Sequence, residues 1–134
     1  MKLSKKALVL DPIDCKIIDY NDNKEAVKDA LEKINDTLIY LVNTRDLSEE
    51  EIQKSETAIV VPKKIESIAI YTEQGVLYAS NIEDIKDTLK KIFENENINK
   101  IGYNQKEEYI LFKQMGIEFR GMTFDAKIAA YILN

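Results

Sequence analysis

Histidine is absent from this 134-residue sequence. Without an imidazole there can be no serine–histidine triad, no zinc site built on histidine and no HExxH protease helix. Glycine is scarce, and the four present (Gly75, Gly102, Gly116 and Gly121) are isolated, so no glycine-rich loop is available to cradle a phosphate. The single cysteine, Cys15, rules out an internal disulfide and fits the reducing cytoplasm. No apolar run approaches the ~18 residues of a membrane span. The short run Ala7–Leu10 is followed by Asp11 and is too brief for a signal peptide. The formal charge is -5 and the pI about 4.9. The basic pairs Lys5-Lys6, Lys63-Lys64 and Lys90-Lys91 are scattered and read as solvated surface. Such a chain is a poor autonomous grip on nucleic acid, which takes clustered Lys and Arg.

What is present is an ordinary globular balance, 45% hydrophobic and 32% charged. The length suits one domain with a real core. Residues 1–14 read as a lead-in or linker and residues 15–134 as the domain. Within it, Cys15–Tyr20 alternates weakly and suits a short extended piece. In NDNKEAVKDALEKI, Val27, Leu31 and Ile34 fall at helical spacing behind a cap at Asn21–Asn23. Thr37–Val42 is β-rich and apolar, which predicts a buried central strand over Leu38–Val42. Ser48 with Glu51 forms a capping box for a short helix. Thr57–Val61 is another β-like run, stopped by Pro62. Glu66–Ser80 reads as a hairpin turning at Glu73-Gln74-Gly75. Ser80 with Glu83 opens a helix whose stripe is Ile82, Ile85, Leu89, Ile92 and Phe93. NKIGY is a strand, NQKEEYILFKQMG a helix closed by Gly116, GMTF a last strand, and DAKIAAYILN a helix that Asp125 can cap. Hairpin strands are antiparallel and strand–helix–strand crossovers parallel, so the fold class is α/β with a mixed sheet.

The closing stretch carries a resemblance. Gly102-Tyr103-Asn104 and Glu108, then Gly116-Ile117-Glu118, Phe124-Asp125 and Ala130-Tyr131-Ile132-Leu133 resemble the second motif of the 3'–5' exonuclease domain of bacterial DNA polymerase I. That family has a ribonuclease H-like fold. The resemblance implies five core strands in the order 3-2-1-4-5, counted from Leu38–Val42, with helices on both faces. It leaves Thr57–Val61 without a slot. The family cuts DNA with metal ions held by four carboxylates, and here this chain departs from it. The first motif, Asp-x-Glu at the end of the first strand, falls on Asn43, Thr44 and Arg45; a frame shifted by one gives Val42 and Thr44. Carboxylates two apart on a strand point to one face, which is why a metal site needs that spacing. The second-motif Asp is replaced by Glu108, whose extra methylene misplaces the carboxylate for an ion as exacting as Mg²⁺. The third motif, Tyr-x-x-x-Asp, would fall beyond Asn134, which implies a piece of a longer protein.

These departures point to a non-catalytic domain with no cofactor, acting as a structural platform. Its expected partners are the polymerase and 5'-nuclease domains of a parent DNA polymerase I, with DNA reached only through that polymerase. Arg45 is expected to pair with Glu108 across the former cleft, leaving no demand for a cation. Tyr103 and Asn104 are candidate nucleic-acid contacts. Each has a plainer reading: packing at the core edge for Tyr103, with Tyr109 and Tyr131, and a helix N-cap for Asn104. Glu108 reads as a solvated residue on a polar helix face. Two other functions compete. One is an active Mg²⁺-dependent exonuclease completed by residues past Asn134; the other is an unrelated α/β binding module.

Overall fold

The computed structural model describes residues 16–56 and 58–125. Its elements, in chain order, are β1 (Ile17–Asp19), α1 (Lys24–Glu32), β2 (Thr37–Asp46), α2 (Glu49–Lys54), β3 (Lys63–Thr72), β4 (Gly75–Ala79), a 3-10 turn at Ile82–Ile85, α3 (Lys86–Phe93), β5 (Asn99–Gly102), α4 (Gln105–Gln114) and β6 (Met122–Asp125). The sheet has six strands in the order β1-β4-β3-β2-β5-β6. Leaving aside β1, this is the expected ribonuclease H-like order, with β2 in the middle. β3 and β4 pair antiparallel as the hairpin, while β5 and β6 run parallel to β2. β1 adds a sixth strand, parallel to β4. Its approach depends on Gly75, at φ 138, because a Cβ there would lie 2.3 Å from the Lys16 carbonyl oxygen, which accepts from the Val76 amide.

Alternation along β2 decides where the core sits. Leu38 and Tyr40 are buried, whereas Ile39 and Leu41 are exposed. Helices α1, α3 and α4 bring Val27, Leu31, Leu89, Phe93, Leu111 and Phe112 onto the Leu38/Tyr40 face, where they form one core with Ile68, Ile70 and Leu77. Phe93, Phe112, Phe119 and Tyr40 pack at its centre, Tyr40 edge-on to Phe93 with ring centroids 5.1 Å apart. The expected helices on both faces are thus described for this face. The last helix, its cap at Asp125 and the lead-in at residues 1–14 fall outside the described residues or side chains. Among the described residues, no helix is long and apolar enough to cross a membrane.

Three local expectations are corrected. Ala58–Val61 is irregular rather than a strand. The Gln114 side chain accepts from the Val60 and Val61 amides (2.9 and 3.0 Å) and donates to the Val61 carbonyl, taking the groups a ladder would need. Second, Asn81 rather than Ser80 caps the 3-10 turn at Ile82–Ile85: Asn81 Oδ1 accepts from the Glu83 amide, Ser80 instead accepts from Asn21, and α3 itself begins after Ile85 without a side-chain cap bond. Third, Asn104 stands at the cap position of α4 but in the left-handed region (φ 64, ψ 45), and its side chain makes no cap bond. The Ser48–Glu51 capping box is formed as expected.

Candidate functional site

The strand–turn–helix from Asn99 to Gln114 presents the second-motif residues. β5 ends at Gly102, whose lack of a side chain is a packing requirement, since a Cβ would stand 2.5 Å from the Tyr40 ring. The ring crosses over Gly102, and its hydroxyl donates to Glu108 Oε1 at 2.5 Å. Both partners are interior, Tyr40 at 2% and Glu108 at 5% exposure. This corrects the reading of Glu108 as a solvated residue. Spacing explains it: Glu108 shares a stripe with Leu111 and Phe112, three and four residues on, and both are buried. That spacing was the available sequence signal. The Tyr40 partner, 68 positions away, had none.

The first-motif residues lie elsewhere. Asn43 follows Ile39 and Leu41 onto the sheet face away from Tyr40 and donates from Nδ2 to Ser67 Oγ at 3.1 Å. The β2–β3 pairing shifts between Asn43 and Thr44. Beyond the shift, Arg45 makes a bidentate pair with Glu51 of α2, both bonds 2.8 Å, and reaches Glu66 at 3.6 Å. The expected Arg45–Glu108 pair is therefore replaced by two separate arrangements. Arg45 clasps α2, and Glu108 is satisfied from within the core. The β2 residue that reaches Glu108 is Tyr40, and its alternate neighbours on the core face, Leu38 and Val42, are apolar and offer no carboxylate.

Around this centre the turn is well tied. Gln105 is buried and donates from Nε2 to the Lys100 carbonyl at 2.9 Å. Lys100 is itself buried and donates to the Asn95 carbonyl, and burial pulls its pKa down from 10.5 to about 8. The Arg45 guanidinium, followed by the Ser48 backbone amide, holds the Glu51 carboxyl down at about 2. Tyr103 is half exposed, and Asn104 Nδ2 stands 3.5 Å from Glu107 Oε2. These two nucleic-acid candidates are neighbours in the turn between β5 and α4, whereas Glu108 is buried. Among the described residues, no group of three or more His, Cys, Asp or Glu is placed to hold a metal ion.

Comparison with known proteins agrees with the fold. The catalytic core of RRP6 from Trypanosoma brucei superposes with a TM-score of 0.62 at 12% identity, over 86% of this chain and 30% of that one. The POL domain of Pol1 from M. smegmatis, in complex with DNA primer-template and dNTP, gives 0.58 at 16% identity, over 81% and 18%. T. brucei RNase D with GMP gives 0.56 at 10%, over 85% and 34%. At such identities the likeness is one of fold, and the chain spans about a fifth to a third of these larger chains. The sequence profile described as DNA polymerase I, ribonuclease H-like domain, matches residues 60–134, from the segment before β3 to the end. By that match over more than half its length, the chain belongs to the DNA polymerase I ribonuclease H-like exonuclease domain family.

Proposed function

We propose that this chain is a non-catalytic member of its family, a structural module of a cytoplasmic DNA polymerase I that serves replication and repair. In this reading the parent chain is the DNA-directed DNA polymerase. The module packs against its polymerase and 5'-nuclease domains, needs no cofactor, and meets DNA only through the polymerase. The observation that carries the proposal is the state of Glu108. The carboxylate that stands in place of the second-motif Asp is buried and engaged by the Tyr40 hydroxyl, beside a strand face with no acid. Two-metal hydrolysis needs ions ~3.5–4 Å apart, with enough carboxylates to offset their charge. A lone carboxylate already bonded to a phenol does not supply that.

The test is digestion of a 5'-labelled single-stranded oligonucleotide in Mg²⁺ and in Mn²⁺. We expect no shortening. Metal-dependent shortening that disappears in Glu108→Ala would establish instead the active exonuclease, with Mg²⁺ as its cofactor.

A further inference from the structure

Away from the Tyr40–Glu108 pair, several charged groups wall a cavity of about 400 Å³. It lies between α2, the start of β3, the start of α3 and the far end of α4. Its floor is apolar, formed by Leu47, Ile59, Leu111 and Met115. Its rim carries Lys54, Lys63, Lys64 and Lys86 against only Glu51 and Glu83, in a chain whose net charge is -5. The lysines are not equally committed. Lys54 is held by Glu50 at 2.6 Å. Lys63 and Lys64 meet Glu107 and Glu83 at 3.4 and 3.5 Å, long and solvent-screened contacts of little worth. Lys86 makes no ion pair among the described residues. Glu51 is already neutralised by Arg45. The volume is that of a small-molecule site, and an apolar floor with a few convergent polar groups is how such sites are built.

We infer that this cavity is a binding site for a small amphiphilic anion, a compound with an apolar body and one anionic group. The body replaces water over Leu111 and Met115. The anion draws Lys63, Lys64 and Lys86 away from their weak contacts. This inference stands whether or not the module cuts DNA.

Two probes of one shape test it: 8-anilinonaphthalene-1-sulfonate, and the neutral N-phenyl-1-naphthylamine, which lacks the sulfonate. By fluorescence, the sulfonate should saturate at one per chain. Its affinity should fall about tenfold in Lys64→Gln/Lys86→Gln, and raised salt should weaken it. Lys64→Arg/Lys86→Arg should keep it, and the neutral probe should respond to neither charge change nor salt. Because exposed Ile39, Leu41 and Tyr71 offer a rival apolar surface, Leu41→Ser/Tyr71→Ser is the counter-variant and should leave the sulfonate bound. The inference is overturned if the sulfonate fails to saturate, is indifferent to the lysine changes, or is lost in the counter-variant.

Discussion

Tyr40 and Glu108 are joined only by the fold, and the cost of separating them follows from burial. Tyr40→Phe keeps the ring against Phe93 but removes the donor from a carboxylate at 5% exposure. Leaving a buried acceptor short of a partner costs about 1–3 kcal/mol, so urea unfolding should show a loss of that order. Glu108→Gln retains an acceptor and should cost less than Glu108→Ala. In a double-mutant cycle, the pair of changes should cost less than the sum of the singles. Gly102→Ala attacks the same contact from the other side, since its Cβ would collide with the ring. It should destabilise by more than the usual effect of alanine in a strand, and near-ultraviolet circular dichroism would show the displaced tyrosine. A second residue-scale prediction concerns Lys100. Burial lowers its folded-state pKa from 10.5 to about 8, so between those pH values the unfolded chain binds more protons than the folded one. Its contribution to stability therefore grows as pH rises from about 8 to 10.5 and is lost as pH falls back through that window. Lys100→Met should flatten this part of the stability–pH curve relative to the unchanged protein. An equal slope in both would show that the amine is not the group responsible.

At the scale of elements, α2 tests how much a polar clasp can hold. None of its residues is buried, and it is anchored by the Arg45–Glu51 pair and its own capping box. Arg45→Gln should therefore leave global stability within about 1 kcal/mol, because exposed ion pairs contribute little. Hydrogen exchange of the Ile52 and Ser55 amides, by contrast, should quicken as α2 opens locally. The Glu51 carboxyl sits at about 2, below its usual range. Its share of the clasp is thus present at neutral pH and is lost only as pH falls from about 4.5 toward 2. What could be read from the sequence divides along the same line. Elements whose signal is local were legible: the Ser48–Glu51 box, the Glu73–Gly75 turn, and the stripe from Ile82 to Phe93. Ala58–Val61 was not, because β propensity is a weak preference and Gln114, more than fifty residues away, captures its amides. The candidate site was half legible. The motif residues could be found, but which face of β2 meets Glu108 depends on packing that no local pattern records.

For the whole molecule, the question is whether the family fold still answers to metal. In a carboxylate-lined site, repulsion between the acids is relieved by binding a cation, so metal stabilises the folded state in proportion to its occupancy. Here the interior is balanced without one. Glu108 is bonded to Tyr40, Asn43 is on the opposite face of β2, and Arg45 is spent on Glu51 and Glu66. A divalent ion at Glu108 would have to displace the phenol and shed most of its water for a single charged ligand. The expected outcome of a thermal melt in millimolar Mg²⁺ or Mn²⁺ is therefore an unchanged midpoint. Tyr40→Phe should melt lower than the parent yet remain equally blind to metal, because removing the phenol does not supply the missing carboxylates. The contrary result is easily seen. An ion present at a hundred times its dissociation constant would add about 2.7 kcal/mol, which in a domain of this size raises the midpoint by several degrees. A rise of that size, abolished in Glu108→Gln, would mean that the fold has kept its metal site after losing the first-motif acids.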